Sequence, residues 1–395
     1  MPASPLDAIA PIADLAATRR GWHLAIRTQF FVLGTAMGAW GAQVPSVKSH
    51  YALNEQTLSI ALLAAAAGAV LCLFTAGMLV ARFGARHCIQ AAGLVMLASL
   101  LAVLQFQAYG VLLVLMLLFG GGSALFDVAI NAEGNTLESQ SERKVMSGLH
   151  AMFSLGGMAG ALLCSGLHRL TMPAAMQLAG ISLVLVPVLL WAGARASGRH
   201  SSGDDAPAPI AWPRGALLWI GLLTALCLVA EGAMYDWSAL FVRQELRTDE
   251  ATGALGFAAF SAAMATGRLV GDRVRERFAT LALLRGSGAL AAAGMALALS
   301  VAAPWAALLG FMFVGLGLAN VVPVLYAAAA QVPGVSAAAG VAAVSSIGYM
   351  GFMVGPPMIG ALASWASLGA ALWAVALFAV LVALAAPLVP APHVK

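Results

Sequence analysis

The chain alternates long apolar stretches with short polar turns. Apolar residues run almost without interruption over about 22–45, 57–80, 88–107, 110–134, 146–168 and 172–193, and again over about 215–242, 253–272, 281–301, 304–328, 335–360 and 364–388. Each stretch reaches the roughly 20 residues that an α-helix needs to cross a hydrocarbon layer. None alternates apolar and polar positions over about ten residues, as a membrane β-strand does. The pattern therefore predicts twelve transmembrane helices. One interval, ending in RASGRHSSGDDAPAPIAWPR, is rich in Ser, Gly, Pro and charge, a composition that cannot bury a core of its own. It divides the chain into an N-terminal six-helix bundle (22–193), a cytoplasmic linker (194–214) and a C-terminal six-helix bundle (215–388).

Composition makes a water-soluble reading untenable. Of 395 residues 62% are hydrophobic and 9% charged, whereas soluble domains are about half apolar and a quarter charged. The basic residues divide unevenly among the loops. Placing both termini in the cytoplasm puts Arg19, Arg20, Arg27, Arg82, Arg86, Arg143, Lys144, Arg195, Arg199, Arg214, Arg268, Arg273, Arg275, Arg277, Arg285 and Lys395 inside, leaving Lys48, Arg169, Arg243 and Arg247 outside. This 16 to 4 excess orients the chain in a plasma membrane, the inner membrane of a bacterium, with both ends cytoplasmic. The net charge of +4 is then loop bias, with no nucleic-acid partner implied. Residues 1–20 carry Asp7 and Asp14 and lack a continuous apolar region, so no cleaved secretion signal is expected and the mature chain should begin near Met1.

Several chemistries are not expected. The three lysines stand outside any G-x-x-x-x-G-K-[ST] order, and the run Gly120 to Gly122 follows no strand, so no nucleotide-phosphate loop is present. Cys72, Cys88, Cys164 and Cys227 lack close metal-ligand spacing and read as small packing residues. No metal, cofactor or covalent catalysis is expected, and the chain reads as a monomeric transporter, not an enzyme.

The halves resemble one another. SGLHAMFSLGGMAG from Ser147 and AGVAAVSSIGYMGF from Ala339 align glycines at Gly148 with Gly340 and at Gly156 with Gly348. The patterns Gly34-x-x-x-Gly38, Gly156-x-x-x-Gly160 and Gly351-x-x-x-Gly355 allow close helix approach, and Gly355-Pro356-Pro357 should bend the eleventh helix. A duplicated unit implies a substrate site between the halves.

Charged groups deep in the apolar stretches are candidates for that site. A charge at the bilayer centre costs at least about 2.5 to 3.5 kcal/mol, so it needs water, a partner or a proton. Asp127, Glu231 and Asp236 qualify. At 1.5 Å per residue, Asp127 lies roughly 25 Å below the outer end of span 4, and Glu231 roughly 24 Å above the inner end of span 7. Asp127 and Glu231 are the proton-coupling candidates, with His150 as a relay, since imidazole titrates near about 6.5. Trp40, Gln43, Asn131, Asp236, Trp237 and Asn320 are candidate solute contacts, for a largely apolar pocket with a few polar groups. Tryptophans near span ends also serve as interfacial anchors. Glu133 reads as a solvated helix end, and Arg268, four residues before Asp272, as a local ion pair or a solute contact.

GMLVARFGAR, from Gly77 to Arg86, resembles the G-x-L-x-D-R-x-G-R-R loop signature of the major facilitator superfamily, matching at Gly77, Leu79, Arg82, Gly84 and Arg86, with Ala81 in place of the aspartate. GRLVGDRVRER from Gly267 keeps Asp272 and Arg273. The resemblance covers nearly the whole chain and implies an all-α fold of twelve transmembrane helices in two pseudo-symmetric six-helix bundles. It also implies a gate involving Gly77, Arg82, Gly84, Arg86, Arg268, Asp272 and Arg273. Within the superfamily, FDVAINAEG, HAMFSLGG and EGAMYDWSAL resemble the fucose permease-like branch, in which the acid matching Asp127 is implicated in proton-coupled sugar uptake. Where those permeases carry an acid in span 1, this chain has Gln29, Trp40 and Gln43. The expected activity is alternating-access, proton-coupled symport of a small polar solute such as a sugar. The alternatives are proton-driven export of drugs or metabolites, and a non-transporting membrane sensor.

Overall fold

The computed structural model describes residues 5–141, 145–196 and 214–390, with side chains from Gly21 onward. Arg143, Lys144, Arg199, Lys395 and most of the expected linker, 197–213, lie outside the described residues, as do the side chains of Asp7, Asp14, Arg19 and Arg20.

The described residues form helices and no strand. In the first half these are α1 (Pro5–His50), α2 (Glu55–Phe83), α3 (Ala85–Ala102), α4 (Tyr109–Ser141), α5 (Met146–Arg169) and α6 (Ala174–Gly193). The second half has α7 (Ala216–Gln244), α8 (Glu250–Arg277), α9 (Thr280–Ser300), α10 (Pro304–Leu318), α11 (Val321–Ala329), α12 (Ala337–Trp365) and α13 (Leu368–Ala385). Eleven segments are long and apolar enough to cross a membrane, with α10 and α11 sharing one. The twelfth position belongs to α1, whose buried Gln29, Thr35 and Gln43 make it more polar. Gln29 Nε2 donates to the Leu189 carbonyl of α6 at 3.0 Å, so this polarity is used inside the bundle.

Local chemistry sets the helix ends. Asn54 caps α2 through a reciprocal pair of bonds with Thr57, of 2.8 and 3.0 Å. Ser336 and Ser367 cap α12 and α13. Gly84 adopts φ +80°, which lets α2 turn into α3 with no intervening loop. Span 10 is broken after Leu318, because Pro323 has no N–H to give the carbonyl one turn back. The expected single helix over 304–328 is thus two.

Glycines bring backbones together. A Cβ on Gly34 or Gly38 would collide with the carbonyls of Phe153 or Gly157, and one on Gly156 or Gly160 with those of Phe31 or Thr35, locking α1 to α5. Gly351 also sits against the Ala225 carbonyl of α7, somewhat less tightly, but Gly355 meets only ordinary contacts. Phe74, Met78, Leu384 and Trp365 are strongly exposed. Large exposed apolar side chains on this scale suit contact with lipid.

The halves meet mainly through α5 with α8, α2 with α12 and α1 with α7. At the end away from Arg195 and Arg214, here the far side, Lys48 Nζ donates to Gln244 at 2.9 Å and pairs with Glu55. There too Ser165 donates to the Ala251 carbonyl at 2.8 Å, and His168 lies 3.2 Å from Glu250. At the linker side, Ser147 donates to Asp272 at 3.2 Å.

Candidate transport cavity

A cavity of about 760 Å³ lies between the halves, walled by α1, α2, α4 and α5 on one side and by α7, α8, α11, α12 and the break before α11 on the other. It reaches the linker-side residues Glu138, Ser147, Asp272 and Arg275. Lys48, Ser165 and Gln244 do not line it, so the far side is its closed end.

At its centre is an ion pair. Arg268 Nη2 donates to Glu231 Oε1 at 3.0 Å, and Nη1 donates to the Ser154 hydroxyl of α5 at 2.9 Å. Tyr235, one turn beyond Glu231, donates its hydroxyl to the same carboxylate oxygen at 2.9 Å. Two donors to one buried carboxylate offset part of its desolvation, and the guanidinium gains an anchor in each half of the protein.

The expected local pair of Arg268 with Asp272 is not formed. Asp272 pairs instead with Arg275 and accepts from Ser147. Arg268 turns inward because a buried carboxylate is the stronger attraction in a low dielectric.

Asp127 lines the cavity and accepts from the Asn131 amide at 3.0 Å. Asn131 spends its amide on Asp127, with a second bond of 2.9 Å to the Asp127 carbonyl, and does not line the cavity. His150 lines it with its ring edge against Phe30, centroids 5.4 Å apart. Asp127 and Glu231, placed at different depths by residue counting, open onto one space.

Among the candidate solute contacts, Trp40, Asp236 and Asn320 line the cavity. Asn320 also donates to the Gly267 carbonyl at 3.1 Å. Gln43 is wholly buried against Gln177 (2.7 Å) and Ser46, away from the cavity. Trp237 is wholly buried in the core and does not line the cavity. Glu133, expected at a solvated end, is 2% exposed and accepts the Trp22 indole N–H at 2.8 Å.

The first-half gate candidates sit apart from the cavity. Gly77 faces open space, Arg82 lies over the Phe83 ring at 5.4 Å, Gly84 makes the turn, and Arg86 is exposed. Arg273 is exposed as well. Sequence reasoning passed over Ser154, Tyr235, Tyr326 and Tyr349, all near or on the cavity. The i to i+4 spacing of Glu231 and Tyr235 was the available signal for one of them.

A multi-pass helical membrane protein whose halves enclose a largely apolar cavity bearing a few charged groups has the architecture of a solute transporter. The Major Facilitator Superfamily pattern matches residues 28–347, and the chain belongs to that family. An uncharacterized MFS-type transporter of Yersinia pestis is 35% identical over 370 residues, covering 92% of this chain and 94% of its own. The membrane protein MosC of Rhizobium meliloti is 35% identical over 367 residues, covering 91% and 88%. Among solved structures, a variant of the nucleoside transporter NupG superposes with a TM-score of 0.76 at 12% identity, covering 93% of this chain and 99% of its own. A bacterial homologue of the human lysosomal transporter Spinster, inward-facing and unoccupied, gives 0.73 at 13% identity, covering 94% and 98%. These two likenesses concern the fold.

Proposed function

We propose that the protein is a secondary transporter that carries a small polar solute together with protons, its six-helix halves rocking about the central cavity. The supporting observation is that Asp127 and the Glu231–Arg268 pair face one cavity walled by both halves. Asp127 has an amide as its partner and no cation, a setting in which a deep carboxylate can take up a proton when the cavity closes. It serves as the proton carrier. Arg268 bridges Glu231 and Ser154, and rearranges when the halves separate. A proton moving down a membrane potential releases about 2.3 kcal/mol per 100 mV, enough for modest accumulation. With the linker cytoplasmic, the closed far side is extracellular and the cavity faces inward.

Reconstituted protein tests this reading. In proteoliposomes screened against sugars and polyols, a transported solute alkalinises the outer medium, and Asp127→Asn abolishes that signal. Wild-type coupled flux in Asp127→Asn would remove the carrier role. The aromatic lining of Trp40, Phe119, Phe153 and Phe352 favours a second reading, export of amphipathic solutes. Proton release from the lumen on adding an amphipathic cation would select it.

A further inference from the structure

The charges of the described residues that line the cavity are mostly acidic. Among the described residues, five carboxylates reach it, from Asp127, Glu138, Glu231, Asp236 and Asp272, against two guanidiniums, from Arg268 and Arg275. Both guanidiniums are taken, Arg268 by Glu231 and Arg275 by Asp272. Glu138 accepts the backbone N–H groups of Val145 and Met146 at 2.7 and 3.0 Å. Asp127 has the Asn131 amide. Asp236 has neither a hydrogen bond nor an ion pair with any described residue.

Its surroundings are specific. Gly41 of α1 meets α7 so closely that a Cβ there would stand 2.8 Å from the Tyr235 carbonyl. Trp40 and Asp236 therefore flank one backbone contact between the halves, and both line the cavity. Trp40 is 4% exposed and packs on Phe119 with ring centroids 5.8 Å apart. Its indole N–H has no hydrogen-bond partner among the described residues, yet it is absent from the fully enclosed unpaired groups, which include the indole N–H of Trp237. The arrangement thus places a carboxylate unpaired among the described residues, an indole ring and an unpartnered donor on the wall of one cavity, toward its closed end. A carboxylate and an indole on the wall of one cavity are the combination that can hold an organic ammonium ion, through ion pairing and cation–π attraction together.

We propose that the solute is a small organic ammonium ion, held by the Asp236 carboxylate against Trp40, with the indole N–H open to a hydroxyl or carbonyl on the same molecule. This assignment rests on the reading of the cavity as the transport site and narrows its solute from polar to cationic. It leaves Asp127 free to carry the proton, since Asp236 is neutralised by the cargo itself.

The test uses full-length protein in detergent and pairs of probes alike in shape but differing in charge. Choline is compared with 3,3-dimethylbutan-1-ol, and glucosamine with glucose, by thermal unfolding at pH 7. A ligand that binds the folded state raises Tm. At least one cation should raise Tm while its neutral partner does not. The difference should vanish in Asp236→Asn, persist in Asp236→Glu and shrink in Trp40→Leu. Equal shifts from both members of each pair, no shift from any probe, or an unchanged difference in Asp236→Asn would overturn the proposal. If Asp236→Asn does not give a monodisperse protein, the Trp40→Leu and Asp236→Glu comparisons decide. Proton flux is read separately. Cation-selective binding without any coupled proton movement would retire the symport reading and leave the ammonium site standing. Proton movement driven by glucose, with no preference for glucosamine, would do the reverse.

Discussion

Arg268 joins groups that lie far apart in the chain: Glu231 on α7 and Ser154 on α5. Removing one member of a buried pair strands the other charge, which costs roughly 3–5 kcal/mol, whereas removing both costs much less. Arg268→Met should therefore lower Tm strongly, and the double variant Glu231→Gln with Arg268→Met should recover most of the loss. Equal midpoints for the single and double variants would show that the pair carries little energy. The three deep acids were legible in the sequence because a charge within an apolar run has few reasons to be there. The roles of their neighbours were not. In a helix apolar on nearly every face, sequence does not fix which side turns inward. Asp236 faces the cavity while Trp237, one residue on, is sealed in the core. Glu133 was misjudged for a related reason, since its indole partner, Trp22, lies 111 residues away.

At the scale of elements, the length of each apolar stretch and the polar turns between them foretold the helices closely, because crossing hydrocarbon fixes a minimum length. What escaped were features set by backbone chemistry. The tenth span breaks at Asn320, and α4 continues past its apolar stretch to Ser141. The glycine spacing in α1 and α5 foretold their close approach, and the structure supplies the mechanism: each glycine abuts a carbonyl of the other helix. Gly38→Val should force the two apart. Overpacking costs about 1–3 kcal/mol in a core that can adjust, and more where backbone is the obstacle. The variant should show a lower Tm and a smaller monodisperse yield, while Gly77→Val, in open space, should behave as wild type.

At the scale of the molecule, the division at the polar interval foretold a cavity between halves, but not which end would be shut. Loop charges report orientation and carry nothing about conformation. The structure closes the far side, with Lys48 joining α1, α2 and α7 through Glu55 and Gln244. Lys48→Met should weaken that closure. A cysteine placed at Gln56, next to the closure, should react faster with a membrane-impermeant maleimide in the variant than in the parent. An unchanged labelling rate would show that the lysine is dispensable to the seal.

The fastenings between the halves are unequal at the two ends. Among the described residues, three cross-half polar links hold the far side, from Lys48, Ser165 and His168, against one at the linker side, from Ser147, with the Arg268–Ser154 bond between the two ends. In the proposed rocking cycle, the two strokes should therefore differ in speed. On that reading, a solute on the linker side meets an open mouth, whereas one on the far side waits for several bonds to part at once. Such waiting steps commonly limit turnover in proteins that open and close, so weakening the far-side links should speed exchange from that face before it harms the fold.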